Sequence, residues 1–175
     1  MPSTVVPTTA APTTAAPSGG GPTGTAPPAA EVPGRCASGQ LTVTVGGGSG
    51  GAAGSIITAV NFVNKGAVTC TLDGHPGVSF VAGADGHQVG NAAKRVGASV
   101  KITLTRGAVA HATLRVVQAG AFDPATCHPT HARGFRVFPP DQTASAFVAH
   151  PETACAGRGA SQLTISPVEA GPPKD

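Results

Sequence analysis

The sequence predicts an all-β protein: an antiparallel β-sandwich of about eight or nine strands, stapled by disulfides, behind a disordered N-terminal tail. Three observations carry that expectation. Apolar residues alternate with polar ones over short runs, the period-two pattern of a half-buried strand. Gly, Asn and Asp turns separate these runs at roughly eight- to twelve-residue intervals. The composition also opposes helices, with 25 Gly and 17 Pro but no Trp, no Tyr and six Phe. Gly and Pro are the residues least tolerated inside a helix.

Taken in order, residues 1–34 are a low-complexity Pro/Thr/Ala/Gly stretch in which Pro2, Pro7, Pro12, Pro17, Pro22 and Pro27 recur at regular spacing. Each proline fixes φ and removes a backbone donor, so neither helix nor ladder propagates. The stretch reads as a disordered stalk able to reach about 100 Å when extended. Residues 35–169 form the expected sandwich domain, and 170–175 a short tail. Leu41, Val43 and Val45 open the alternation, followed by a floppy glycine turn, Gly46 to Gly51. Strands are expected at Ile56–Val63, Val68–Leu72, Val78–Val81, Val100–Leu104, Ala112–Val116, Phe135–Phe138, Ala146–Ala149 and Leu163–Ile165. Asn64-Lys65-Gly66, Asp73-Gly74, Ala84-Asp85-Gly86 and Arg106-Gly107 supply the turns between them. Residues 118–132 are the longest irregular region, with room for one helical turn near Ala119–Ala125.

Charge and motif spacing exclude several function classes. The net charge is +3, but the basic residues are scattered and only Lys94 and Arg95 adjoin. A nucleic-acid surface needs a basic stripe, often interleaved with aromatic rings, and neither is present. No apolar run approaches the ~20 residues of a membrane helix. Residues 1–30 carry no basic n-region and no apolar h-region, so an exported chain would rely on a leader that this sequence lacks. The glycine run formally matches both Gly-x-Ser-x-Gly around Ser49 and a dinucleotide fingerprint from Gly46 to Gly51. Both motifs require a helix to open just after the turn, and another strand is expected there instead. The carboxylates are isolated in sequence and sit mostly in turns, so no acid–base pair is legible. No cofactor is expected. Six histidines are present, His75, His87, His111, His128, His131 and His150. The cluster Cys127-His128-Pro129-Thr130-His131 is the densest chelating set, with His111 or His150 as a third ligand. The competing reading, which is preferred, makes them polar loop residues beside a disulfide.

Several segments align in order with one known family. They are Cys36 before Leu41–Val45, then Asn64-Lys65-Gly66, then Cys70-Thr-Leu-Asp-Gly-His-Pro-Gly-Val78. Leu104-Thr-Arg-Gly107, Cys127, Cys155 and Leu163-Thr-Ile-Ser-Pro-Val168 follow. Over about residues 35–169 the chain resembles the domain-of-unknown-function family 4232 of actinobacterial secreted proteins and lipoproteins. Where that family commonly has an aromatic residue before the proline, this chain has His75. The resemblance implies an exported, envelope-associated β domain on a low-complexity stalk, and it carries over no catalytic residues. Lipoprotein members are tethered through a cysteine after the leader; none precedes Cys36 here.

The four cysteines, Cys36, Cys70, Cys127 and Cys155, are too widely spaced for a zinc knuckle or a CxxC redox pair. An even count in a β-rich chain reads as two structural disulfides. The preferred pairs are Cys36–Cys70 and Cys127–Cys155, each tying a loop to the sandwich; the rival Cys36–Cys155 would staple the first strand to the last. The functional expectation is a non-catalytic binding, adhesion or structural module, monomeric and displayed outside the membrane. Its partner would be an envelope component or extracellular ligand, met by the loops at 46–54 and 118–133. A metal-binding exported protein using the loop histidines is the alternative, and a hydrolase assembled only in three dimensions the third reading.

Overall fold

A computed structural model describes residues 33–47 and 50–174. Nearly all of the expected stalk, together with Gly48 and Ser49, lies outside the described residues. Three sheets make up the rest. The largest has seven strands around a long central pair, β3 (Ser55–Asn64) and β9 (Val109–Val117), registered from Ser55↔Val117 to Val63↔Val109. On the far side of β3 lie β1 (Leu41–Val45) and β2 (Gly50–Ala52), paired to its C-terminal and N-terminal halves respectively. On the far side of β9 lie β12 (Leu163–Ile165) and β13 (Glu169–Ala170). β7 (Lys94–Arg95) adds a parallel edge to β12.

The second sheet runs β11 (Ala146–Cys155), β10 (Pro129–Phe138), β5 (Gly77–Ala82), β6 (His87–Val89), all antiparallel. The third is the short pair β4 (Cys70–Leu72) and β8 (Ile102–Leu104), to which residue Arg35 adds a parallel bridge at Thr71. The fold is therefore the antiparallel all-β architecture that the alternation predicts, with 13 strands among the described residues rather than eight or nine. The surplus has a physical source. β6 and β7 are held by backbone pairing at sheet edges and need no apolar alternation to form. Gly50 and Gly51, expected in the glycine turn, lie in β2. The last strand, β13, reaches Ala170, which pairs with Ala110.

The inner faces of the seven- and four-stranded sheets share one core. β3 and β9 contribute Val60, Phe62, Ala110, Ala112, Leu114 and Val116; β5 and β10 contribute Val78, Phe80, Phe135 and Val137. The scarcity of aromatics is met by pairing large with small. Phe62 lies opposite Ala110 and Val60 opposite Ala112, so each bulky group fills space a neighbour leaves open. Phe80 and Phe135 are opposite one another and stack at 4.8 Å between ring centroids. Asn64, fully buried, donates to the carbonyls of Val68 and Leu104 and accepts from Gly66 N–H. A polar side chain is tolerated there because its bonds are made. Gln162 joins the two large sheets, donating to Val117 at 3.0 Å and accepting from Cys155 N–H.

A candidate ligand cleft on the four-stranded sheet

The cysteines are structural. Cys36 is bonded to Cys70 and Cys127 to Cys155, and no cysteine is free. All four are buried. Cys36–Cys70 lies in the main core, where residues 34–36 run beside β4 through Cys36 N–H to Thr71 O at 2.9 Å. Cys127–Cys155 sits in a separate small cluster with Ala119, Ala160 and Phe122. Cys127 ends the one short α-helix among the described residues, α1 (Pro124–Cys127), whose first turn is capped by the Asp123 carboxylate. A 3₁₀ turn at Ala119–Ala121 precedes it, so residues 118–132 hold two helical turns and the start of β10 rather than an irregular loop.

The six histidines are dispersed. His75 Nε2–H donates to Val96 O at 3.0 Å. His111 is buried on the outer face of β9 and donates from Nδ1 to Gly171 O at 2.9 Å. His150 stacks on Phe135, ring centroids 5.2 Å apart. His128 caps α1 in the left-handed region, φ 50°, and His131 is exposed. Among the described residues, no three His, Cys, Asp or Glu side chains gather as a metal site requires. With Cys127 oxidised, the Cys-His-Pro-Thr-His segment has no thiolate to offer. Gly50 opens β2, so among the described residues a strand, and no helix N-terminus, follows this run for a nucleophile elbow or a pyrophosphate.

A pronounced concavity lies elsewhere, on the outer face of the four-stranded sheet. It is a cleft of about 580 Å³ between the β5–β6 turn and the β10–β11 connection. Strand parity builds it. Phe135 and Val137 point inward, so Arg136 and Phe138 point outward, and Arg136 lies directly between Ser79 on β5 and Phe147 on β11. One residue pair earlier the β10–β11 ladder bulges between Ala132 and Gly134, where two β11 residues, His150 and Pro151, stand opposite one residue of β10. The bulge brings Arg133 to the same outer face while Ala132 enters the core. Gly134 is required at the bulge, since a Cβ there would run into the Val148 carbonyl oxygen.

Both guanidinium groups are anchored to the β5–β6 turn. Arg133 Nη1 donates to Gly83 O at 2.6 Å, and Arg136 Nη2 donates to Gly86 O. Arg133 also lies over the ring of Phe147, 5.4 Å from its centroid. Phe147 is 53% exposed, unusual for so large an apolar group. Among the described residues, no carboxylate lies within ion-pair distance of either arginine. The acid of the cleft, Asp85, is engaged by His87 Nδ1 at 2.9 Å, and this bond holds its carboxyl below the ordinary value. Thr143 and Ser145 are exposed at the rim. Sequence reasoning counts Arg133 and Arg136 among scattered surface charges and places the binding loops at 46–54 and 118–133. The signal it lacks is Arg133-Gly134-Phe135-Arg136, where a strand glycine between two arginines marks a bulge that puts both on one face.

No helix among the described residues is long and apolar enough to cross a membrane. No curated protein matches the chain, and no solved structure does. Residues 36–169 match the family described as Domain of unknown function (DUF4232). The match begins at the first bridged cysteine and ends in the last strand, so it takes in both disulfides and every wall of the cleft, and the chain belongs to the DUF4232 family.

Proposed function

We propose that this chain is an exported, non-catalytic binding module of the cell envelope, monomeric, whose ligand face is the cleft between the β5–β6 turn and the β10–β11 connection. The observation that carries the proposal is the pair of turn-anchored arginines beside a half-exposed phenylalanine in this cleft. Pre-organised polar groups set against an apolar wall are what small-ligand sites consist of. Two buried disulfides support an oxidising compartment, where such bonds form and persist.

The test is an amide-shift screen of the oxidised protein against a small-molecule library, with each hit re-assayed for chemical change. Hits that shift residues 81–86, 133–138 and 143–147 and are recovered unaltered support the proposal. Hits confined to other surfaces, or consumed on incubation, overturn it.

A further inference from the structure

The cleft is not electrostatically balanced. Arg133 and Arg136 bring two permanent positive charges against one carboxylate, Asp85, and that carboxylate is already bonded to His87. Each guanidinium gives a donor to a backbone carbonyl, which fixes its position without neutralising its charge. Most N–H donors of both groups remain available. Arg136 is half-buried, so part of its hydration is lost with no ionic partner among the described residues to offset the loss. Beside these donors stand apolar surfaces: Val81 at the floor, with Phe138 and Phe147 as walls. A planar fork matched to an oxyanion, next to exposed rings, selects for two chemical features in one ligand.

Resting on the reading of this cleft as the ligand face, we propose that its ligand is an organic oxyanion, a carboxylate or phosphate group carried on a planar or apolar body. The oxyanion lies between the Arg133 and Arg136 guanidinium groups, and the body packs against Phe138 and Phe147. Arg133 has a double role, since its stack on Phe147 orients both the charge and the ring. The Thr143 and Ser145 hydroxyls at the rim suit hydrogen bonds to polar substituents of the body.

The experiment titrates the oxidised full chain with benzoate, phenyl phosphate, inorganic phosphate and benzyl alcohol, following amide and arginine side-chain shifts. Benzoate or phenyl phosphate is expected to produce saturable shifts at residues 83–86, 133–136 and 147. Inorganic phosphate should bind more weakly for want of the body, and benzyl alcohol more weakly for want of the charge. Arg136→Gln and Arg133→Gln should each weaken binding about tenfold, and added salt should weaken it further. Arg133 is exposed, so its variant keeps the test valid should the Arg136 variant misfold. A preference for benzoate assigns a carboxylate ligand and a preference for phenyl phosphate a phosphate ligand; both support the oxyanion. Benzyl alcohol binding as tightly as benzoate at the same residues overturns the oxyanion while leaving the cleft as the ligand face. Unchanged affinity in both arginine variants also overturns it. Silence of every probe up to about 10 mM, while other library compounds still bind the cleft, overturns it alone; silence of the library as well overturns the ligand face with it.

Discussion

At the scale of single residues, the turn at the mouth of the cleft is organised by Asp85 and His87. The His87 side chain donates to the Asp85 carboxylate at 2.9 Å, and the His87 backbone N–H approaches the same oxygen at 3.4 Å. The side-chain bond is the larger cause of the lowered Asp85 pKa, the backbone bond the next. The sign follows from linkage. A carboxyl depressed in the folded state stabilises the fold above its unfolded pKa, and that contribution disappears as the pH falls through the lowered folded value. Asp85 is fully exposed, so the effect on global stability is slight and the local titration is the place to look. Carbon-detected titration of Asp85 is expected to give a midpoint below the usual carboxylate value, and His87→Ala should raise it toward that value. A midpoint unmoved by the substitution would remove His87 as the cause. On the oxyanion proposal, this carboxylate places a negative charge beside the two arginines and would limit how negative a ligand they accept.

At the scale of elements, the β2–β3 hairpin shows how local backbone chemistry sets register. Ala52 and Ser55 are paired, and the two residues between them, Ala53 and Gly54, have φ of 49° and 77°. Positive φ at both positions is the type I′ turn, which matches the twist of the flanking strands. Gly54 takes it freely, but Ala53 has a Cβ in the left-handed region, where Asn is better accommodated. Ala53→Asn is expected to stabilise the protein by about 0.5–1 kcal/mol, read as a higher urea midpoint at unchanged slope; a lower midpoint would contradict the turn assignment. The same scale explains what the sequence makes legible. β1, β3 and β9 announce themselves because each has one face in the core and alternates accordingly. β7 and β13 do not, because edge pairing holds them and Lys94, Arg95 and Glu169 are exposed; β6 does not, because it is three residues long and only Val89 enters the core. The first half of β10 is hidden for another reason. The bulge at Gly134 reverses parity, so Ala132, Phe135 and Val137 all face the core and no simple period survives. The cleft depends on that reversal and on register across three strands. Its residues are spread from Val81 to Phe147 and meet only after the sheet has formed.

At the scale of the whole molecule, the two disulfides act on separate parts of the fold. Cys36–Cys70 belongs to the main core and Cys127–Cys155 to the satellite cluster. They close loops of similar length, with sequence separations of 34 and 28. On the chain-entropy account each is therefore worth about 3–4 kcal/mol. Because the two share no core cluster, their losses should add, giving about 6–8 kcal/mol for removal of both. That is comparable to the whole stability of a typical domain, about 5–15 kcal/mol. The core has little surplus to cover it, since only Phe62, Phe80 and Phe135 among the six phenylalanines are fully buried. Either pair replaced alone by alanine is expected to leave a folded protein with a lowered urea midpoint. The Cys36/Cys70 replacement should cost more, because the cavity opens in the main core, where neighbours cannot collapse onto it. Reduction of both bridges, or replacement of all four cysteines, should abolish the cooperative transition and the dispersion of the amide spectrum. A fully reduced chain that kept its midpoint would show that sheet packing alone suffices, and the need for an oxidising compartment would fall with it. Arginine placement depends on the same bridges, because Cys155 anchors the end of β11 opposite Pro129, where β10 begins. Loss of Cys127–Cys155 should therefore weaken oxyanion binding at the cleft even where the domain remains folded.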